Sequence, residues 1–126
     1  MAAPNIVNVS SIYGKTTYYN ITTNNTYFDV LVNSNGSGKV LKIGAINLTN
    51  TDGTNPVDVT VGLHDNAAGA ATTVPIGKLV TVPPRASLIL VGKDNGFYLE
   101  ENNKIVAFAS NNDRSSIFIS YEEIME

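Results

Sequence analysis

The chain of 126 residues contains no cysteine and no tryptophan, and it has a single histidine. The absence of cysteine excludes disulfide frameworks and cysteine-based zinc sites. Charged residues make up only 15% of the sequence, against roughly 25% in an average globular domain. The net charge of −3 argues against a protein that neutralises the phosphates of a nucleic acid. We therefore expect no metal, no cofactor and no nucleic-acid partner, and few means of catalysis.

Long hydrophobic segments are missing as well. The longest aliphatic run is residues 88–91, far short of the ~20 apolar residues that a membrane helix needs. The first nine residues carry no basic side chain and no long apolar stretch, so they do not resemble a secretory signal. We expect synthesis in a cytosol and no contact with a membrane.

Apolar residues nevertheless make up 43% of the chain, enough for a packed core. Residues 57–63 alternate between apolar and small or polar side chains, and residues 117–121 repeat that period of two, which indicates half-buried strands. Further strands are predicted at residues 5–12, 27–32, 39–50, 78–82, 86–91 and 104–110, with a short strand or an extension of a neighbour at 98–99. The pattern predicts an all-β fold over residues 1–126: a single-domain sandwich of jelly-roll or immunoglobulin-like type with about eight strands.

Turn residues separate these segments. Residues 35–38, 52–53, 66–69 and 83–84 supply glycine, asparagine, aspartate or proline, which tolerate or preset turn backbones. The triplet 94–96, Asp-Asn-Gly, predicts a hairpin turn and lacks the further oxygen ligands of a calcium loop.

The predicted strand at 39–50 changes phase in its middle. Its apolar positions are Leu41 and Ile43 before the change, and Ile46 and Leu48 after it. A one-residue change of phase beside Gly44 predicts a β-bulge. The alternative is a fully buried strand with two apolar faces.

The first 38 residues are poor in charge and rich in aromatic rings. They carry only Lys15 and Asp29 as charged residues, together with half of the aromatic residues of the chain. Such a stretch either closes the core or forms an interface, and two adjacent tyrosines cannot both point inward from one strand. The predicted interface residues are Tyr13, Tyr18, Tyr19, Tyr27 and Phe28.

A Gly-Lys-Thr sequence at residues 14–16 resembles the end of a phosphate-binding loop. That loop requires a glycine five positions earlier, where Val9 stands, and a helix after it. We interpret the sequence as a turn.

His64 and Asp65 form the only pair that contains a histidine. Neighbours on a strand point to opposite faces, and no nucleophile elbow accompanies the pair, so it does not indicate catalysis. A site built from several loops, including Asp52, Asp65 and Asp113, stays open at this point.

Two pairs of glutamates occur, at residues 100–101 and 122–123. Acid–base chemistry requires two carboxyl groups facing one cleft, whereas adjacent strand residues split between the faces. We interpret both pairs as solvated rims or edge protection. No catalytic residue is predicted, and the chain is predicted not to be an enzyme.

Four stretches carry a resemblance to a known group of proteins. They are residues 4–16, residues 50–55 with the alternating strand that follows, residues 98–101 and residues 120–124. In these stretches the chain resembles small virion structural proteins of tailed phages, especially marine and cyanobacterial phages. That group often has Gly-Asp after the glutamate pair, where this chain has Asn102 and Asn103.

The resemblance implies a place in a virus particle rather than an enzymatic step. It implies a capsid decoration or cement protein that stabilises the head shell, located in the virion after synthesis in the host cytoplasm. The implied partners are the chain itself, as a homo-oligomer with a trimer favoured, and the major capsid protein or another virion protein. Residues 2–11 are predicted as an extended N-terminal arm or a first strand, and such an arm pairs with an open sheet edge of a neighbour.

Two other functions remain open. The chain could be a neck, tail, baseplate or fibre component of the virion. It could also be a carbohydrate-binding β-sandwich module, because tyrosine stacks on sugar rings.

Overall fold

The computed structural model describes residues 10–22, 26–65, 73–110 and 114–125. These residues form nine β-strands and one short 3₁₀ helix. No helix in this part of the chain is long and apolar enough to cross a membrane. The strands are β1 (Ser11–Ile21), β2 (Phe28–Asn33), β3 (Lys39–Asn50), β4 (Val57–His64), β5 (Thr73–Val82), β6 (Ser87–Val91), β7 (Phe97–Leu99), β8 (Asn103–Ala109) and β9 (Ser115–Met125), with the 3₁₀ helix at Lys93–Asn95.

The strands form two antiparallel sheets that pack face to face. One sheet has the order β1-β9-β3-β6, with β7 also paired to β3, and the other has the order β2-β8-β4-β5. The pairings are nested, because β1 pairs with β9, β2 with β8, β3 with β6 and β4 with β5. A long hairpin rolled over itself gives this order, which is that of a jelly roll. The predicted all-β sandwich is confirmed, and the topology is the jelly roll.

One strand of the roll is broken in two. Both β6 and β7 run antiparallel to β3, β6 along Ile46–Thr49 and β7 along Leu41–Ile43. The 3₁₀ helix lies between them. Directly after it, the backbone of Gly96 lies so close to β3 that a Cβ atom on Gly96 would be 2.4 Å from the Ile43 carbonyl oxygen. The predicted hairpin turn at 94–96 is wrong, because the chain continues in the same direction. The prediction of a short strand at 98–99 is confirmed.

The middle of β3 contains the predicted bulge. Its pairing with β9 shifts register between Ile43 and Ala45. On either side of the shift, Ile43 and Ile46 are buried while Lys42 and Asn47 are exposed. The strand is therefore half-buried along this part, and the alternative of two apolar faces is wrong there.

Aliphatic side chains fill the space between the sheets. They come from the eight strands β2 to β9 and from the end of β1, so each sheet contributes one apolar face. The fully buried ones include Ile21, Ile43, Ile46, Leu48, Val57, Val59, Val61, Val82, Leu99, Ile105, Ile117 and Ile119.

Buried asparagines hold the chain at two strand ends. Asn33 donates its Nδ2 to the carbonyl oxygens of Lys39 and Leu99, both at 3.0 Å. Asn50 donates likewise to the Val82 carbonyl oxygen at 3.0 Å. Because each amide satisfies buried backbone acceptors, these residues fix loops rather than serve a ligand.

The first strand of the described residues runs further than predicted. β1 covers Ser11–Ile21, whereas the sequence pattern indicated residues 5–12. The interpretation of residues 14–16 as a turn is wrong, because they lie inside this strand and pair with β9 without a register shift. Most side chains of β1 are exposed on both faces, so the strand lacks the alternation that reveals half-buried strands. Residues 1–9 lie outside the described residues, and with them most of the arm predicted at 2–11; the amide of Ser10 donates to the Met125 carbonyl oxygen at 2.8 Å.

Candidate assembly surface

Strand β1 forms one border of the five-stranded sheet. It pairs with β9 from Ser11 opposite Met125 to Ile21 opposite Ser115, without a register shift. The chain alternates along β1 so that even-numbered side chains lie on the outer face and odd-numbered ones on the side of the second sheet. Lys15 is its only charged residue. The border is thus long, regular and nearly uncharged.

Two adjacent tyrosines of β1 contact rings on opposite faces. Tyr18 stacks on Phe118 of β9 on the outer face, with ring centroids 5.6 Å apart and planes 21° from parallel. Tyr19 meets Phe28 of β2 edge to face, with centroids 6.0 Å apart. Tyr18 is 66% exposed and Tyr19 is 47% exposed, so both offer surface to a partner.

The remaining predicted interface residues lie at the same side of the sandwich. Tyr13 on β1 is 53% exposed, and Tyr27 just before β2 is 40% exposed. Tyr27 contacts Phe108 edge to face, with centroids 4.8 Å apart. Phe28 is half-buried and packs against the core. We call the surface formed by Tyr13, Tyr18, Tyr19, Tyr27, Phe28 and Phe118 the aromatic border.

Sequence reasoning missed four exposed apolar residues of the five-stranded sheet. The exposed fractions are 52% for Ile12, 71% for Ile89, 46% for Tyr98 and 45% for Phe118. The position of Phe118 in an otherwise polar phase of β9 was a usable signal. The sequence contains no such signal for Ile89, because its neighbours Leu88 and Leu90 are also aliphatic and no alternation of polarity marks its face.

A groove of about 280 Å³ runs beside Phe118 on the outer face of the five-stranded sheet. Its polar lining consists of hydroxyl and amide side chains, and none of the residues described as lining it is ionisable. Thr49 and Ser87 bond to each other across it at 3.0 Å. The lining residues are Thr16, Ala45, Asn47, Thr49, Ser87, Leu88, Ile89, Phe118 and Ser120.

The glutamate pair on β9 splits between the two faces. Glu122 is exposed and lies 4.0 Å from the Lys42 ammonium, as expected of a solvated rim. Glu123 is 9% exposed and pairs with Lys15 at 3.2 Å and Lys39 at 3.4 Å. The interpretation as a rim is wrong for Glu123, which ties β1 and β3 to β9. Burial raises the pKa of Tyr121 beside it, against the lowering effect of the Lys15 charge.

The other glutamate pair also has a structural member. The carboxylate of Glu101 accepts hydrogen bonds from the amides of Gly36 and Gly38 at 3.1 and 2.9 Å. Both glycines have positive φ in the turn between β2 and β3. Glu101 therefore fastens a turn, whereas Glu100 is exposed.

Asp52 holds the loop between β3 and β4. Its carboxylate accepts the Thr54 amide at 2.9 Å and the Arg114 guanidinium at 2.5 Å. These interactions, the Thr54 amide first, lower the pKa of Asp52 from 3.8 to about 2, against the opposing effect of burial. The carboxylate is thus a charged structural clamp.

The loop-built acidic site is not assembled in the described residues. Asp52 precedes β4, while His64 and Asp65 lie at the far end of that strand. His64 shares a hydrogen bond of 2.8 Å with the Thr73 hydroxyl through Nδ1. Asp113 lies outside the described residues. Within residues 10–22, 26–65, 73–110 and 114–125, no group of three His, Cys, Asp or Glu side chains is placed to hold a metal ion.

Comparisons with known proteins find likeness in structure alone. No protein-family model matches the chain, and no curated protein matches it. A chain from the Bacillus endospore appendages, which form a novel family of disulfide-linked pili, is similar with a TM-score of 0.53 and 15% identity, over 91% of this chain and 88% of that one. A chain from the T13 IBDV viral particle has a TM-score of 0.44 and 9% identity, over 94% of this chain and 32% of that one. At such identity, the first likeness is one of fold.

Proposed function

We propose that the chain is a structural subunit of a phage virion, a capsid decoration or cement protein that holds neighbouring subunits of the head shell together. The observation that carries this proposal is the aromatic border. Tyr13, Tyr18 and Tyr19 are about half exposed or more on an edge strand with a single charge. Exposed aromatic surface with little charge is typical of the centre of a protein interface.

The binding mechanism is mechanical. Burying tyrosine rings against a neighbour removes large apolar surface from water, and a few such anchors dominate the binding energy of an interface. An interface of ordinary size, on the order of 800 Å² per partner, is sufficient for tight binding. Repetition over a shell adds avidity. Since the chain has no cysteine, no disulfide of its own joins it to a neighbour.

The proposed partners are a further copy of the chain and the major capsid protein or another virion protein. A homo-oligomer, with a trimer as the expected number, is located in the virion. The jelly-roll fold and the resemblance to small virion proteins of tailed phages support this proposal. A neck, tail, baseplate or fibre position is the alternative within the same particle.

The copy number per particle tests the proposal. Quantitative mass spectrometry of purified virions compares this chain with the major capsid protein. A ratio near one, or a simple fraction of it, supports the head shell. A few to a few dozen copies support the neck, tail or baseplate instead, and absence from the particle overturns the virion proposal.

A matched pair of variants tests the aromatic border. We expect the double variant Tyr18→Ala/Tyr19→Ala to fold, because both rings are largely exposed, but to occupy particles poorly. Tyr98→Ala is the control, since Tyr98 is 46% exposed on β7, outside the aromatic border. Equal occupancy of the double variant and the control, at equal melting temperature, would contradict the assignment.

The groove beside Phe118 favours a second candidate, binding of a neutral glycan. Exposed rings stack on sugar faces, and the Asn47, Thr49 and Ser87 side chains offer uncharged hydrogen-bonding groups beside them. A glycan array with wild type and Phe118→Ala tests it. Binding that the variant loses supports the glycan function, and no binding at all rejects it.

A further inference from the structure

Among the described residues the two sheets have four borders, and three of these borders carry features that block pairing with another chain. β2 has six residues and a register shift between Asp29 and Leu31. β5 contains Pro75, and its Leu79 has a φ of 50°. β6 has only five residues before the 3₁₀ helix interrupts that border. Short strands, prolines and bulges are the means by which natural sheets avoid edge-to-edge association.

Strand β1 has none of these features. It is eleven residues long, contains no proline, and keeps one register against β9 throughout. Its one charged side chain does not block pairing at the free edge. The Lys15 ammonium lies 3.2 Å from the Glu123 carboxylate of β9 and is therefore directed toward the sheet. A long, regular and unguarded edge is suited to pairing with another strand.

We propose that β1 pairs antiparallel with β1 of a second copy, across a twofold axis at Thr16, and so joins two five-stranded sheets into one continuous sheet. The proposal rests on the proposed structural function and names the contact through which copies of the chain meet. A twofold contact uses the same surface on both copies. The outer faces of the two five-stranded sheets lie on the same side of the joined sheet only if even-numbered residues of β1 lie opposite even-numbered ones. A shift of one residue would reverse the faces of one copy.

The register centred on Thr16 places complementary side chains opposite each other. Tyr13 lies opposite Tyr19 of the second copy, on the odd-numbered side, which makes two aromatic cross-strand pairs by symmetry. Gly14 lies opposite Tyr18 of the second copy on the outer face, and a ring covering a glycine is a recognised way to stabilise a strand pair. Lys15 lies opposite Thr17. All eleven residues of β1 take part, from Ser11 opposite Ile21.

The two neighbouring registers of the β1–β1 pair are less favourable than the one centred on Thr16. If the second β1 is shifted by two residues so that the twofold axis lies at Lys15, the Lys15 residues of the two copies lie directly opposite each other. Like charges in that position destabilise the pairing. If the second β1 is shifted by two residues in the other direction, fewer residues of β1 pair. Tyr19 then lies opposite Lys15 of the second copy, whereas in the register centred on Thr16 it lies opposite Tyr13. The charge and ring positions of β1 thus select the register centred on Thr16.

The twofold contact is compatible with a larger assembly. Two single chains or two trimers can meet through it, since β1 pairing uses one border of each copy. In a shell, such contacts would connect decoration units to each other. The test below detects the contact itself and does not depend on the final number of copies.

Single cysteines provide the experiment, because the chain has no cysteine of its own. In Thr16→Cys the two Cα atoms at the axis stand about 4.5–5.5 Å apart, which a disulfide can bridge. The matched control is Asn20→Cys, on the same strand and face; its two copies are eight residues out of register, about 27 Å apart at ~3.4 Å per residue. Under mild oxidation we expect most of the Thr16→Cys protein, and almost none of the control, as covalent dimer.

A second pair of variants fixes the register and remains decisive if Thr16→Cys folds poorly. Tyr13→Cys and Tyr19→Cys are each expected to stay monomeric on oxidised gels alone and to cross-link when mixed. Absence of the mixed cross-link, with both proteins melting normally, overturns the proposal, as does equal cross-linking of Asn20→Cys. Cross-linking is measured on purified protein, so it is independent of the virion copy number. If the cysteine variants do not cross-link but the chain is present in virions at the expected copy number, only β1 pairing is rejected. If the chain is absent from virions, only the proposed function is rejected.

Discussion

The rings of Tyr18 and Phe118 stack across the β1–β9 pair, with centroids 5.6 Å apart. Cross-strand aromatic pairs contribute roughly 0.2–1 kcal/mol relative to alanine. In a double-mutant cycle of Tyr18→Ala and Phe118→Ala, urea unfolding should therefore show a coupling of about 0.5 kcal/mol. Tyr18→Ala combined with Ile89→Ala should be additive. Equal coupling in the two cycles would contradict the stacking contribution.

Adjacent glutamates on β9 should differ in their effect on stability. Glu123→Gln removes two ion pairs of a buried carboxylate, so we expect a loss of about 1–2 kcal/mol in the free energy of unfolding. Glu122→Gln removes one pair of 4.0 Å whose side chains are both half exposed, and we expect a change below about 0.5 kcal/mol. Urea titration of both variants measures the difference. Equal losses would show that burial of Glu123 does not matter.

Asp52 should make stability depend on acid pH. Its pKa is about 2 in the folded chain against 3.8 without these contacts, so the ionised form stabilises the fold above pH 3.8. That contribution decreases as the pH falls through about 2. The stability advantage of wild type over Asp52→Asn should therefore shrink between pH 4 and pH 2, as measured by urea unfolding along that range. A constant advantage down to pH 2 would contradict the lowered pKa.

A methyl group at Gly96 should disturb the broken strand. The added Cβ atom would stand 2.4 Å from the Ile43 carbonyl oxygen, whereas at Gly44 the nearest atom is 3.6 Å away. We expect Gly96→Ala to lower the free energy of unfolding by about 1–3 kcal/mol. Gly44→Ala should change it much less. Thermal melting compares the two, and an equal shift in Tm would argue against the close approach at Gly96.

Much of the fold was predictable from side-chain alternation. The bulge in β3 was identified because one face of that strand is buried and the other is solvated, so polarity records the direction of each side chain. The strand at 57–63 was identified from the same alternation, although its second face is also largely buried, with Thr60 1% exposed. β1 could not be found in this way. Its position at a border exposes both faces, and exposure removes the pattern.

The candidate surface was predictable in composition but not in arrangement. The tyrosines of residues 13–27 stood out as aromatic residues in a stretch with little charge. That Tyr18 meets Phe118, one hundred residues away, follows from the register of β1 on β9. The separate environments of Glu122 and Glu123 likewise arise from the face each occupies and from the lysines brought there by β1 and β3.

The sequence by itself determined that the protein is all-β, that it lacks the residues for disulfides, and that its aromatic rings concentrate near the N-terminus. These properties are local, since they depend on residue type and on the period of two along a strand. Only the tertiary structure decided the jelly-roll order, the partners of the buried charges and which of the described strands lie at the borders of the sheets. Those depend on which distant strands pair and in which register, and such pairing is set by the packing of the whole core rather than by any one segment.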